Sequence, residues 1–75
     1  MECYDDFMRD ISSNIKKMRL MHGKTVEDVA IDGLGHNSAA FFSQAENYKN
    51  GKHFNLRHIY LLAVYFQCRV SDLIP

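Results

Sequence analysis

Cysteine is scarce in this chain: Cys3 and Cys68 stand alone, with no C-x-x-C spacing and no pairing pattern. That excludes a disulfide framework and suits reduced thiols in the cytoplasm. Long hydrophobic runs are missing too. No apolar stretch is long enough to span a bilayer and no early one has the form of a signal peptide, so the expectation is a cytoplasmic protein with no membrane partner. Excess charge of either sign is lacking, with nine basic and nine acidic residues. The sum therefore carries no basic footprint of the kind that nucleic-acid binding usually leaves. There is no internal repeat, linker or low-complexity segment, and no stretch left over for an effector domain. The 75 residues read as a single domain over 1–75, small enough that folding buries only about 60% of the unfolded surface.

The constellations of catalysis are absent as well. His22, His36, His53 and His58 are scattered. His53 and His58 straddle a helix start with no cysteine or carboxylate close by, and read as solvated loop residues rather than metal ligands. The stretch GLGHNS has neither a preceding strand nor the Lys-Ser/Thr ending of a phosphate loop, so its glycines are turn residues. The expectation is no enzyme, no cofactor, no metal and no small-molecule substrate.

What the chain does have is a stretch around which the rest is arranged, TVEDVAIDGLGHNSAAFFSQAENYKN from Thr25 to Asn50. Thr25 suits an N-cap, and Glu27 and Asp28 suit the positive end of the helix that follows. Val29 and Ala30 supply its apolar face. IDGLGHN, with two glycines and an Asn, predicts a turn. Ser38 restarts a helix as N-cap, with Phe42, Ala45 and Phe41 turned inward. Two short helices joined by a turn are the unit that many DNA-binding proteins lay in the major groove.

The flanking segments read as supports. From Tyr4 to His22, Phe7, Ile11, Ile15 and Met18 form one apolar stripe. Met8, Met18 and Met21 read as core fillers, and Gly23 ends the helix. Asn50-Gly51 predicts a turn in an exposed basic loop. A further helix from Asn55 to Gln67 has Leu56, Ile59, Leu62, Ala63 and Phe66 on its inner face. Leu61, Val64, Tyr65 and Cys68 are apolar on the other side, to be covered by the N-terminal helix or by a second copy of the chain. Val70, Leu73 and Ile74 close the core in a last short turn capped by Ser71. Charge is segregated along the way. Glu2, Asp5, Asp6 and Asp10 crowd one end and Glu27, Asp28 and Asp32 one short helix, while Lys49, Lys52, His53, Arg57 and His58 follow the helix pair. A local positive patch attracts phosphate even on a neutral domain.

Taken together, IKKMRLMHGKTVEDVA, SQAENYKNGK and NLRHIYLLAVYFQCRVSDLI resemble the lambda-repressor-like (Cro/XRE-type) helix-turn-helix domain over residues 11 to 74. The resemblance implies an all-α, compact five-helix bundle, with the helix-turn-helix at about 25–47 and residues 4–10 as an N-terminal extension of the first helix. It implies that the helix at about 38–47 reads the major groove, that Arg19 pairs with Glu46, and that the protein is a homodimeric regulator. Three features depart from the family pattern. Val26 stands where a DNA-contacting Gln is usual, the turn IDGLGHNS is about two residues longer, and the reading helix begins Ser-Ala-Ala.

Double-stranded DNA as partner requires polar side chains aimed at base edges and cationic or polar groups on either side for phosphates. The base-facing candidates are Ser38, Ala39, Ala40, Ser43 and Gln44, with Gln44 suited to bidentate contact with adenine. The phosphate candidates are Lys24, Thr25, Asn37, Asn47, Lys49, Asn50 and Lys52. Leu61, Val64, Tyr65 and Cys68 are the candidate dimer interface. The alternative is a protein-interaction module of the same fold (an antitoxin, anti-repressor or partner subunit) working through Leu61, Val64, Tyr65 and Phe41.

Overall fold

The computed structural model describes residues 3–35 and 39–75. Helix α1 runs unbroken from Tyr4 to Met21, so residues 4–10 are one piece with the rest of it. Cys3 sits at its N-cap, its Sγ accepting from the Asp6 N–H, and Asp5 and Asp6 lie in the first turn, where the helix dipole favours them. Met8, Ile11 and Ile15 are buried while Phe7 and Met18 are half-buried against them. At its end Gly23 takes φ +65°, and the Gly23 and Lys24 N–H groups donate back to the carbonyls of Leu20 and Arg19. This left-handed closure satisfies carbonyls that the helix would leave orphaned. Met21 is 79% exposed rather than in the core, because it falls to the side of the face of α1 that carries Ile15 and Met18, while His22 beyond it lies 5.1 Å from the Phe66 ring.

Thr25 caps the short α2, Val26–Asp28. Its hydroxyl accepts from the Asp28 N–H and the Asp28 carboxylate accepts from the Thr25 N–H, a reciprocal box. The chain does not turn at Ile31 as its glycines suggest. It continues as a π-helical turn, Val29–Gly33, closed by the Leu34 N–H donating to the Val29 carbonyl. Helix α3 spans Ala39–Glu46, with Phe42, Ala45 and Glu46 buried. The expected cap at Ser38 lies outside the described residues.

After α3, Tyr48, Asn50 and Gly51 all have positive φ around a 3-10 turn, Lys49–Gly51. The loop is exposed and basic except at Phe54, which is 1% exposed and wedges its ring against Phe42 and Phe41. Helix α4, Leu56–Phe66, is capped by the Asn55 side chain, which accepts from the His58 N–H. Ile59, Leu62, Ala63 and Phe66 face the core. Leu56 does not: His58 and Ile59 of the same first turn are buried, while Leu56 lies to the side of them and is 78% exposed.

The last segment is a 3-10 turn, Val70–Asp72, rather than a further α-helix. The Asp72 carboxylate accepts from the Arg69 N–H at its start, so Ser71 is not the cap. Leu73 is buried and Ile74 half-buried, whereas Val70 remains 39% exposed. Among the described residues the protein is all-helical, without strands, and its radius of gyration of 11.3 Å is that of a compact chain.

At Tyr65 the second apolar side of α4 has a cover that neither expectation named. The π turn packs on α4, and a Cβ built on Gly33 would sit 3.4 Å from Leu62, Tyr65 and Val29 alike. Glycine at 33 lets backbone approach helix, and Tyr65 fills the space beside it. Leu61, Tyr65 and Cys68 are half-buried against the core. Only Val64, at 59% exposed, stands clear.

Candidate nucleic-acid interface

The described face of α3 follows from its period. Phe42, Ala45 and Glu46 point inward, so Ala40, Ser43, Gln44 and Asn47 fall on the opposite side, within a sector of about 100° at 3.6 residues per turn. Ala40, Ser43 and Asn47 are exposed, and Gln44 and Ala39 are half-buried. This stripe carries no charge. The Asn47 side-chain amide donates to the Ser43 carbonyl at 2.8 Å, securing the end of α3 as well as facing solvent. Asn37 and Ser38, candidates for phosphate and base contact, lie outside the described residues.

What holds α3 in place is a set of polar contacts from α1. The Arg19 guanidinium donates through Nε and Nη2 to the two Glu46 carboxylate oxygens, each at 2.9 Å, and through Nη1 to the Lys24 carbonyl, also 2.9 Å. One buried side chain thus joins the end of α1, the end of α3 and the segment leading into α2. The hydrogen bond to Glu46, reinforced by its charge, holds the Arg19 pKa above its ordinary value. About two turns earlier, the buried Ser12 hydroxyl donates to the Ala45 carbonyl at 2.7 Å. Beyond α3, the Tyr48 hydroxyl donates to the Asp5 carboxylate at 2.9 Å, and the Arg9 guanidinium lies 5.4 Å from the Tyr48 ring centroid. The bond to Asp5 raises the Tyr48 pKa.

Cations and carboxylates share the surroundings. Lys24, Lys49, Asn50 and Lys52 are exposed. Thr25 is exposed too, but its hydroxyl oxygen is engaged by the Asp28 N–H. Beside Lys24 stand the exposed Glu27 and Asp28. The Asp28 carboxylate sits below the usual aspartate range because the Thr25 N–H donates to it, and Lys24 adds to the effect. The side of the interface toward α2 is therefore electrically mixed, and the loop after α3 is its positive side.

The other predicted residues separate. Leu61, Val64, Tyr65 and Cys68 do not form one exposed patch. Cys68 is half-buried against the core, and that burial pushes its thiol pKa up. His58 is not a solvated loop residue. It is 8% exposed, its Nδ1 accepts from the Asn55 N–H, and its ring lies 5.3 Å from Phe41 and 6.1 Å from Phe54. His53 is exposed, with Nδ1 3.0 Å from the Gly51 carbonyl. Among the described residues, no three His, Cys, Asp or Glu side chains are grouped so as to hold a metal ion, and no helix is long and apolar enough to cross a membrane. The Asn55–His58 box was visible as an N-cap three residues before a side chain able to accept; Phe54 had no such signal.

Comparison with protein-family models, with curated proteins and with solved structures finds no match to this chain.

Proposed function

We propose that this protein binds double-stranded DNA as a small homodimeric transcriptional regulator of the lambda-repressor-like helix-turn-helix class. In this reading α2 and its π turn form the first helix of the unit, α3 is the reading helix, and the 3-10 turn at Val70–Asp72 stands for the fifth helix. The observation that carries it is the pairing of an uncharged polar stripe on α3 with a rigid anchor behind it. Ser43, Gln44 and Asn47 face outward, while the Arg19–Glu46 ion pair and the Ser12 hydroxyl fix the helix from beneath.

Gln44 reads a base edge, its amide matching adenine N6 and N7, and Ala39 and Ala40 offer methyl surface to thymine. Asn37 and Ser38, which precede α3 in sequence and lie outside the described residues, are the further candidates for phosphate. Lys24 and Thr25 on one side, and Asn47, Lys49, Asn50 and Lys52 on the other, fasten the backbone. Homodimerisation doubles the contact and gives a two-fold symmetric operator.

The protein-interaction reading has less to stand on. Of its four residues Phe41, Leu61 and Tyr65 are already half-buried against the core, and Val64 alone is freely exposed. Selection of bound sequences from a random duplex pool tests the proposal. Enrichment of a two-fold symmetric motif is expected, and no enrichment at low salt would refute it.

A further inference from the structure

An apolar groove of about 260 Å³ lies away from the stripe on α3, between the first turns of α1 and the start of α4. Tyr4, Phe7 and Ile11 form one wall, Leu56 and Ile59 the other, and Ile74 closes it. Its rim is unusually exposed for apolar residues: Leu56 at 78% and Tyr4 at 64%. Such a surface on a small domain marks a contact site. The same patch carries both a hollow and projecting side chains of the size to fill one.

Its charges are sorted. Asp6 and Asp10, both exposed, immediately precede Phe7 and Ile11 on the α1 wall. Lys52 and Arg57, also exposed, bracket the segment His53–Leu56 that supplies the other wall. A two-fold contact sets residue i against j and j against i, so each acidic wall would meet the partner's basic wall. The formal net charge is zero, so no overall repulsion opposes the approach.

We propose that a second copy of this chain occupies the groove, Leu56 of each copy entering the hollow of the other. This gives the homodimer proposed above its contact surface and rests on that part of the reading alone. It moves the interface from Leu61, Val64, Tyr65 and Cys68 to the opposite end of α4.

Sedimentation across micromolar to millimolar concentrations tests it on the wild-type chain and four variants. Leu56→Asp replaces an exposed residue in the first turn of α4, where a carboxylate suits the helix dipole, so the fold is retained. It should weaken the dimer about thirtyfold or more, the scale of losing a central apolar anchor. Val64→Asp, outside the groove, should leave the dimer intact. Asp10→Lys alone should weaken it, and Asp10→Lys combined with Arg57→Glu should restore it. A wild-type chain that is monomeric throughout would leave the groove to a different protein and overturn the proposal. A dimer that survives Leu56→Asp, or a charge swap that fails to rescue, overturns it equally. Duplex binding is measured in parallel: a groove-dependent dimer that ignores DNA supports this proposal while sinking the regulatory reading.

Discussion

Removing either Arg19 or Glu46 would strand the other charge beneath the bundle, with side chains only 11% and 3% exposed. Arg19→Ala and Glu46→Ala should each cost about 3–5 kcal/mol, whereas replacing both with apolar residues of similar volume should cost far less. Chemical denaturation of the three variants checks this, and equal losses in all three would contradict it. Arg19 also supports the Lys24 carbonyl, so its loss should loosen the entry to α2 as well. At the interface itself, the two kinds of contact separate by experiment. Gln44→Ala should relax preference at one base pair by about 1–3 kcal/mol. Lys49→Ala should instead weaken all sequences alike and reduce the salt slope by roughly 1. Competition binding with single-base variants of a selected site distinguishes them.

Elements respond to their ends. The α2 box makes the Asp28 carboxylate an acceptor for the Thr25 N–H, which lowers its folded pKa. A depressed carboxylate stabilises the fold above its unfolded pKa of about 3.9, and that contribution is lost as pH falls through the folded value. Asp28→Asn should therefore flatten the acid limb of the stability–pH curve measured by thermal melting; an unchanged limb would contradict the box.

Ends are also where sequence reading and structure part. Helical period placed Ile11, Ile15, Phe42, Ala45, Ile59, Leu62 and Phe66 inside, and all seven are buried. Residue type aimed Met21 inward and period aimed Leu56, but Met21 falls to the side of the buried face of α1 and Leu56 only lines an open groove. Thr25 and Asn55 were legible as caps because the cap chemistry is local. The π turn was not, since Gly33 is there for its approach to Leu62 and Tyr65, a contact distant in sequence. Phe54 was hidden in the same way, its ring neighbours Phe41 and Phe42 lying on another helix.

At the scale of the whole molecule, neutrality conceals arrangement. Nine cations and nine anions cancel in the sum. Yet Asp5 is tied to Tyr48 and Asp28 to the α2 cap, while Lys24, Lys49 and Lys52 remain on the surface. The radius of gyration, 11.3 Å, matches the roughly 11 Å expected of a compact globule this long. In the proposed reading a body that small would cover one operator half-site, and two would span neighbouring turns of a duplex. The central claim, that α3 and its cationic flanks meet DNA, has a direct electrostatic consequence. Fluorescence anisotropy of a selected duplex, titrated from low to moderate salt, measures it. With about four phosphates neutralised per chain, log affinity should fall against log salt at a slope of roughly −3.6 per chain; a slope near zero would contradict the account.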